Sequence, residues 1–236
     1  MRVMVIGGSP DADGDNPSST SWEEYFSGLA KVLVRSGHDL IVCSPFDGSA
    51  DHAILLGASK CDIANRIEFH YPDSDEIRAK VDEWDALLAN SSIDKFPHPP
   101  PETDSKEAHR HSWLVSQLSG LDRSSVLIAI GGRVGASAEL LLKLAHSRGH
   151  CILPLTTLGG ASKRFFEAHR FEYNDSLGDD VVQLHRSGNY AWVPSLLGKL
   201  TTRKVDRLNP QVSSPLSLCH FFLISIDCFR DRRTHA

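Results

Sequence analysis

Short apolar segments alternate along the chain with longer segments whose apolar residues recur at helical spacing. Five short segments predict strands, most of them apolar enough to be buried on both faces; they cover residues 2–6, 39–43, 66–71, 126–130 and 151–155. Seven longer segments predict helices; they cover residues 22–36, 50–59, 75–89, 106–118, 137–146, 161–169 and 193–206. This alternation predicts an α/β fold, a Rossmann-like parallel sheet with helices on both faces.

Several segments fall outside this alternation. Residues 11–19 are polar and predict a long loop, placed to act as a mobile lip over a site. Residues 90–107 are polar and proline-rich, which predicts an exposed insertion or linker. Residues 171–189 give no clear prediction. We expect one domain over residues 1–208, and then a tail, 209–236, whose apolar part at 216–229 is an edge strand, a partner surface or a disordered end.

Glycine-rich turns follow three of the predicted strands, where parallel sheets bind ligands. Glycine lets the backbone approach a ligand closely, and the helix that follows presents free N–H groups and a positive dipole end, which suit a phosphate. A reversal of the chain between the first strand and the strand at 126–130 would bring two of these turns into one crevice. The candidate ligand-binding residues are Gly7, Gly8, Ser9, Gly131, Gly132, Arg133, Gly135, Ser137, Thr156, Gly159 and Gly160.

The spacing of these glycines matches no standard phosphate-binding motif. It is neither the dinucleotide fingerprint Gly-x-Gly-x-x-Gly nor a P-loop, which needs Gly-Lys-Ser/Thr at the helix start. Glycine turns that only pack are therefore the alternative interpretation. Elsewhere, Ser49 is expected to cap the helix at 50–59. Asp51, in its first turn, is expected to complement the helix dipole without any function.

Composition narrows the classes of function. The 236 residues carry a formal net charge of −5 and a sequence pI of about 6.2, which argues against non-specific nucleic-acid binding but not against one focused anion site. Hydrophobic residues make up 41% and charged residues 23%, as in ordinary soluble proteins. The first eight residues lack the basic leader of a signal peptide, and the run at 216–229 is too short to span a bilayer. We therefore expect a cytoplasmic protein that does not bind membranes.

Cysteine and histidine give no metal signal. The five cysteines are odd in number and widely spaced, with no Cys-x-x-Cys pair, so neither a zinc site nor a disulfide framework is predicted. His98, His109 and His111 lie in or near the proline-rich segment. Their spacing supports too few ligands for a metal, so surface histidines are favoured. No metal and no cofactor are expected.

The glycine segments resemble a known superfamily. Gly7-Gly8-Ser9 after the first strand, with the run from Ile130 to Glu139 after a later one, resembles the SLOG superfamily. This superfamily includes the Lonely-guy phosphoribohydrolases, once misnamed lysine decarboxylases, and the DprA/Smf-like proteins. The likeness covers about residues 1–170. It implies a Rossmann-like domain that binds nucleotides or nucleotide-derived molecules.

The chain also departs from the Lonely-guy motif, Pro-Gly-Gly-x-Gly-Thr-x-x-Glu. Ile130 replaces the proline, and one extra residue separates the glycine pair from Gly135. Ser137 is the hydroxyl residue nearest the family threonine, and Glu139 falls near the family glutamate. These departures affect the hydrolase chemistry more than binding. Other SLOG domains are similar to sensors in bacterial defence systems that bind cyclic or ADP-ribose-like signals.

Three classes of function follow. The first is a binding module for a nucleotide or an NAD- or ADP-ribose-derived molecule, which acts as a signal sensor in defence or stress. The second is an N-glycoside hydrolase that releases a base from a nucleoside 5′-monophosphate or related nucleotide, with Glu139 as the catalytic carboxylate and Arg133 on the 5′-phosphate. The third is an interaction protein, a homo-oligomer that uses its apolar tail. The homo-oligomer is expected with either of the first two as well.

Overall fold

A six-stranded parallel sheet lies at the centre of the computed structural model, which describes residues 1–8, 22–186 and 188–208, with side chains up to residue 203. Every pair of neighbouring strands runs parallel. The strands are β1 Arg2–Gly8, β2 Asp39–Val42, β3 Arg66–Pro72, β4 Ser92–His98, β5 Val126–Gly131 and β6 Cys151–Leu155. Their order across the sheet is β4-β3-β2-β1-β5-β6.

Helices connect the strands and cover the sheet. They are α1 Trp22–Arg35, α2 Ala50–Ser59, α3 Asp75–Leu87, α4 Lys106–Arg123, α5 Ser137–Ser147, α6 Gly160–Ala168, α7 Arg170–Leu177 and α8 Val193–Leu208, with a 3₁₀ helix at Gly178–His185. The chain steps from β1 to β4 in one direction and from β4 to β6 in the other. Right-handed crossovers therefore place α1–α3 on one face and α4–α5 on the opposite face. The predicted Rossmann-like α/β fold is confirmed.

The direction of winding reverses beside β1, which pairs with β2 on one side and β5 on the other. In the β1–β5 ladder Gly7 lies opposite Ile130, and Gly8 lies opposite Gly131. The predicted chain reversal therefore brings the first two glycine turns together at one edge of the sheet. Such reversal points are where open α/β sheets bind ligands.

Apolar residues of both layers form one buried cluster around the sheet. Every residue of β5 and β6 is buried, as the uninterrupted apolar runs predict. Leu196 and Leu197 of α8 are buried, which confirms that this helix packs onto the rest of the fold. None of the helices in the described ranges is long and apolar enough to cross a membrane.

The prediction of an insertion over residues 90–107 is wrong for its first part. Residues Ser92–His98 form β4, which pairs along its full length with β3. The polar composition reflects the position of β4 at the end of the described sheet, where its residues alternate between exposed and half-buried. Pro97 is compatible with such an edge strand. Residues 99–105 are mostly exposed loop, as expected.

Two further elements differ from the sequence prediction. Helix α4 extends to Arg123, five residues past the predicted end at Leu118, and continues through Gly120, which is fully packed against Ile41. The unassigned segment 171–189 contributes α7 and the 3₁₀ helix, which pack against each other and cover β6. The predicted lip at 11–19, residue Ser9 and the tail 209–236 lie outside the described residues.

Candidate functional site

A cavity of about 180 Å³ opens at the carboxyl edge of the sheet, beside the point where the winding reverses. Its floor is the end of β1, and its walls are the loop after β2 and the first turns of α2 and α5. The polar and glycine residues that line it are Gly7, Gly8, Ser44, Gly48, Ser49, Asp51, Gln117 and Ser137.

Two helix N-termini therefore face one cavity. The start of α2 contributes Ala50 and Asp51, and the start of α5 contributes Ser137 and Ala138. The two starts differ in capping: Ser49 accepts a hydrogen bond from the backbone N–H of His52, 3.1 Å away, whereas Ala136 at the start of α5 makes no side-chain cap. Among the described residues, Ala136 therefore leaves the first N–H groups of α5 without a cap from its own side chain, and the helix dipole at this end favours an anion.

The predicted glycines fall into two groups with different roles. A Cβ at Gly7 would lie 1.9 Å from the carbonyl oxygen of Ile130, and one at Gly160 would lie 2.2 Å from that of Gly132. These glycines let neighbouring backbones pack closely. In contrast, a Cβ at Gly8 or Gly135 would meet no atom of the described residues within 4 Å. Gly8 also lines the cavity.

The carboxylate of Glu139 is engaged by its own helix. One oxygen accepts a hydrogen bond from the backbone N–H of Gly135 at 2.6 Å, and the other lies 2.7 Å from Nζ of Lys143. The Lys143 ammonium and then the Gly135 N–H lower the pKa of Glu139 below its ordinary value. The carboxylate is therefore ionised at neutral pH, and both of its oxygens have partners. Glu139 is not among the residues that line the cavity.

Arg133 lies exposed at the tip of the glycine turn between β5 and α5. The carbonyl oxygen of Arg133 accepts a hydrogen bond from the N–H of Ala136 at 3.3 Å, which closes the turn just before α5. The turn thus carries a cation next to the helix start that faces the cavity.

The third glycine turn packs against the second. The backbone N–H of Ala161 donates to the carbonyl of Gly132 at 2.7 Å, so the start of α6 is tied to the glycine pair after β5. The hydroxyl of Thr156 is buried and bonds to the carbonyl of Leu184 at 3.2 Å and to Nδ1 of His185 at 2.6 Å. In the described residues, Thr156 thus anchors the 3₁₀ helix, and neither Thr156 nor Gly159 nor Gly160 lines the cavity.

Sequence reasoning did not identify Ser44, Asp51 and Gln117 as residues of this cavity. Asp51 does lie in the first turn of α2, but its carboxylate also accepts a hydrogen bond from the N–H of Ser44 at 2.9 Å and faces the cavity. Burial raises the pKa of Asp51 to about 6, although backbone hydrogen bonds from Ser44 and Cys43 oppose the shift. The signal available was the position of the 44–49 loop at the carboxyl end of β2.

Comparison with known proteins gives distant structural similarities. No protein-family model matches the chain, and no curated protein does. The X-ray structure of TM1055, a structural-genomics target, is similar with a TM-score of 0.47 and 15% identity, over 70% of this chain and 80% of that one. The molybdenum cofactor carrier protein MCP from Chlamydomonas reinhardtii is similar with a TM-score of 0.42 and 17% identity, over 72% and 85% of the two chains. Because these TM-scores and sequence identities are low, the fold assignment rests on the strand order and helix placement of this chain.

Proposed function

We propose that the chain is a SLOG-type binding module for a phosphorylated nucleotide or an NAD- or ADP-ribose-derived molecule. A phosphate of the ligand occupies the cavity between the N-termini of α2 and α5. The observation that carries this proposal is the convergence of two helix N-termini on one cavity beside an open glycine backbone.

The start of α5 suits an anion, whereas the carboxylate of Asp51, which also lines the cavity and is largely ionised at neutral pH, opposes one. The uncapped start of α5 offers backbone N–H groups, and Ser137 adds a hydroxyl in the same turn. Gly8 allows the ligand to approach the backbone of β1. Fixed N–H groups and a helix dipole of this kind are the usual means by which proteins bind phosphate.

The size of the cavity indicates which part of the ligand it holds. Sites that enclose a drug-sized molecule are usually about 300–1,000 Å³, whereas this cavity is about 180 Å³. It therefore accommodates a phosphate with part of a ribose. The remainder of the nucleotide extends over the glycine turn, where Arg133 is exposed and can contact a second phosphate.

The N-glycoside hydrolase has weaker support. Its catalytic carboxylate, Glu139, is ionised but bonded through both oxygens to Gly135 and Lys143. A carboxylate with a lowered pKa is also a poor general base. Glu139→Gln separates the two functions: a binding module keeps its affinity and releases no base before or after the change. Base release by the wild type that is lost in Glu139→Gln would establish the hydrolase.

The first test measures thermal stability with AMP, ADP-ribose, NAD and cyclic ADP-ribose, and each mixture is also assayed for released base. A bound ligand at 100 times its dissociation constant adds about 2.7 kcal/mol to the free energy of unfolding. Adenosine, which lacks phosphate, is the matched control and should give no shift. If none of the phosphorylated molecules stabilises the protein, the proposal fails for this panel.

A charge-adding variant tests whether the ligand binds in the cavity. Ser137→Asp keeps a good residue for a helix start but adds a negative charge where the phosphate is proposed to lie. We expect affinity to fall by at least about tenfold. The control, Lys106→Asp, puts the same residue at the first position of α4, outside the residues that line the cavity. Equal losses in both variants would argue against this location.

A further inference from the structure

A second group of functional side chains lies at the amino edge of the sheet, opposite the glycine crevice. His146 is in the last turn of α5, His169 joins α6 to α7, and Glu172 is in the first turn of α7. One potential ligand atom from each of the three lies within 4.8 Å of the other two. We propose that these residues bind a divalent transition-metal ion, with Zn²⁺ as the occupant.

The hydrogen bond made by the ring of His169 leaves Nε2 as its atom for a metal ion. Its Nδ1 lies 3.0 Å from the carbonyl oxygen of Phe165. A carbonyl oxygen only accepts, so Nδ1 carries the hydrogen and Nε2 presents its lone pair. Metal-binding histidines usually donate their second ring N–H to a carbonyl or carboxylate in this way. The ring also stacks on Phe165, with centroids 4.3 Å apart, which fixes its plane.

The other two ligands converge on the same point. The ring of His146 packs edge-on against Phe165, and its centroid lies 4.2 Å from that of His169. Glu172 lies in the first turn of α7, and its backbone N–H donates at 3.0 Å to the carbonyl oxygen of His169, the residue just before that helix. The side chains of His146 and Glu172 are exposed, so an ion can reach them from solvent.

The donor set selects the class of metal. Two imidazole nitrogens with one carboxylate suit zinc and its neighbours, whereas Mg²⁺ and Ca²⁺ prefer oxygen ligands. Tetrahedral ligands at about 2.1 Å from zinc lie about 3.4 Å from one another. The ligand atoms, which lie within 4.8 Å of one another, therefore need to close by at most about 1.4 Å, and the exposed side chains of His146 and Glu172 can move.

The fourth position of such an ion is open to solvent. A cavity of about 300 Å³ adjoins the group and is lined by His146 and Glu172, with Cys151 and Tyr173 behind them. Zinc with three protein ligands keeps a water molecule or a small ligand in the remaining position. The bound ion would also join α5 to the junction of α6 and α7, because His146 lies in the last turn of α5 whereas His169 and Glu172 lie at that junction.

Isothermal titration of the full chain with Zn²⁺ tests the site. We expect one high-affinity ion per chain, and an affinity at least about tenfold lower in Glu172→Gln and in His146→Ala, which alter exposed side chains. Substitution by Co²⁺ should give the visible absorption of a tetrahedral ion, and the same variants should lose it. Saturation with Mg²⁺ should not displace the ion.

His111→Ala is the matched control because His111 and Glu107 form a surface pair on α4 at 3.9 Å, and the described part of the chain supplies no third ligand there. It should bind Zn²⁺ like the wild type. His98→Ala tests the other close pair, in which Nε2 of His98 lies 3.2 Å from Nδ1 of His70. Loss of binding in either control, with binding retained in Glu172→Gln, would overturn the proposal, as would a wild type without a high-affinity site.

Discussion

The two edges of the sheet offer binding features of opposite kinds. At the carboxyl edge, backbone groups of glycine turns and helix starts surround the cavity beside β1. At the amino edge, three side chains from three segments, His146, His169 and Glu172, converge next to another cavity. Glycine turns are contiguous in the chain and can be recognised in the sequence. A side-chain cluster depends on tertiary packing and can be recognised only in the structure.

The largest effect is expected for Gly7→Ala, a variant that tests whether the carboxyl edge of the sheet depends on close backbone packing. Gly7→Ala should lower the free energy of unfolding by about 3 kcal/mol or more, because the new Cβ would lie 1.9 Å from the Ile130 carbonyl oxygen at φ +135°. Urea denaturation measures it. Gly198→Ala, in α8 with no described atom within 4 Å of the added Cβ, is the control and should be neutral or slightly stabilising. Similar stabilities of the two variants would show that β1 and β5 are not held at this distance.

The next effect is the pH dependence that Asp51 gives to the free energy of unfolding. Burial raises its pKa to about 6, above the unfolded value of about 3.9. The folded state therefore binds the proton of Asp51 more strongly than the unfolded state does. The free energy of unfolding falls as the pH rises from about 4 to about 6, because Asp51 then loses this proton.

Asp51→Asn, which stays neutral, should raise the free energy of unfolding by about 3 kcal/mol above pH 7 and by little near pH 4. Denaturation curves of both proteins at the two pH values measure the difference. Removing this charge from the cavity should also tighten phosphate binding at neutral pH. A pH-independent difference between the proteins would show that Asp51 titrates normally.

A smaller effect is expected for Thr156→Val, a variant that tests whether the third glycine turn belongs to the ligand site. Thr156→Val removes the hydroxyl that bonds to Leu184 and His185 but leaves the backbone N–H bond to Leu184 in place. We expect a loss of about 1 kcal/mol in stability and unchanged nucleotide affinity. Denaturation and ligand titration measure the two quantities. An affinity loss of about tenfold with little change in stability would place Thr156 in contact with the ligand.

The smallest expected effect is the coupling between ligands bound at the two edges of the sheet. Zn²⁺ and ADP-ribose should stabilise the protein additively to within about 0.5 kcal/mol, because the proposed sites share no lining residue. Thermal unfolding with each ligand alone and with both measures the coupling. A larger coupling would mean that α5, which contributes to both edges, transmits a change between them.

The sequence predicts those features whose signal is local. Continuous apolar runs predict β5 and β6, and the glycines at the ends of β1 and β5 predict the crevice. Each of these signals consists of neighbouring residues in the sequence. Strand β4 was missed because edge strands have polar residues and tolerate proline, which resembles a loop. Asp51 was seen only as a helix-dipole residue, because its cavity is formed when β1, β2 and α5 come together.

The polar edge strand β4 also bears on how copies of this chain can associate. Pro97 lacks an N–H group, and Lys95 forms ion pairs with Asp82 and Asp85 of α3. Proline and charged side chains on an edge discourage a second molecule from extending the sheet. Within the described sheet, the β4 edge is therefore a poor template for the strand-to-strand aggregation to which open sheets are prone.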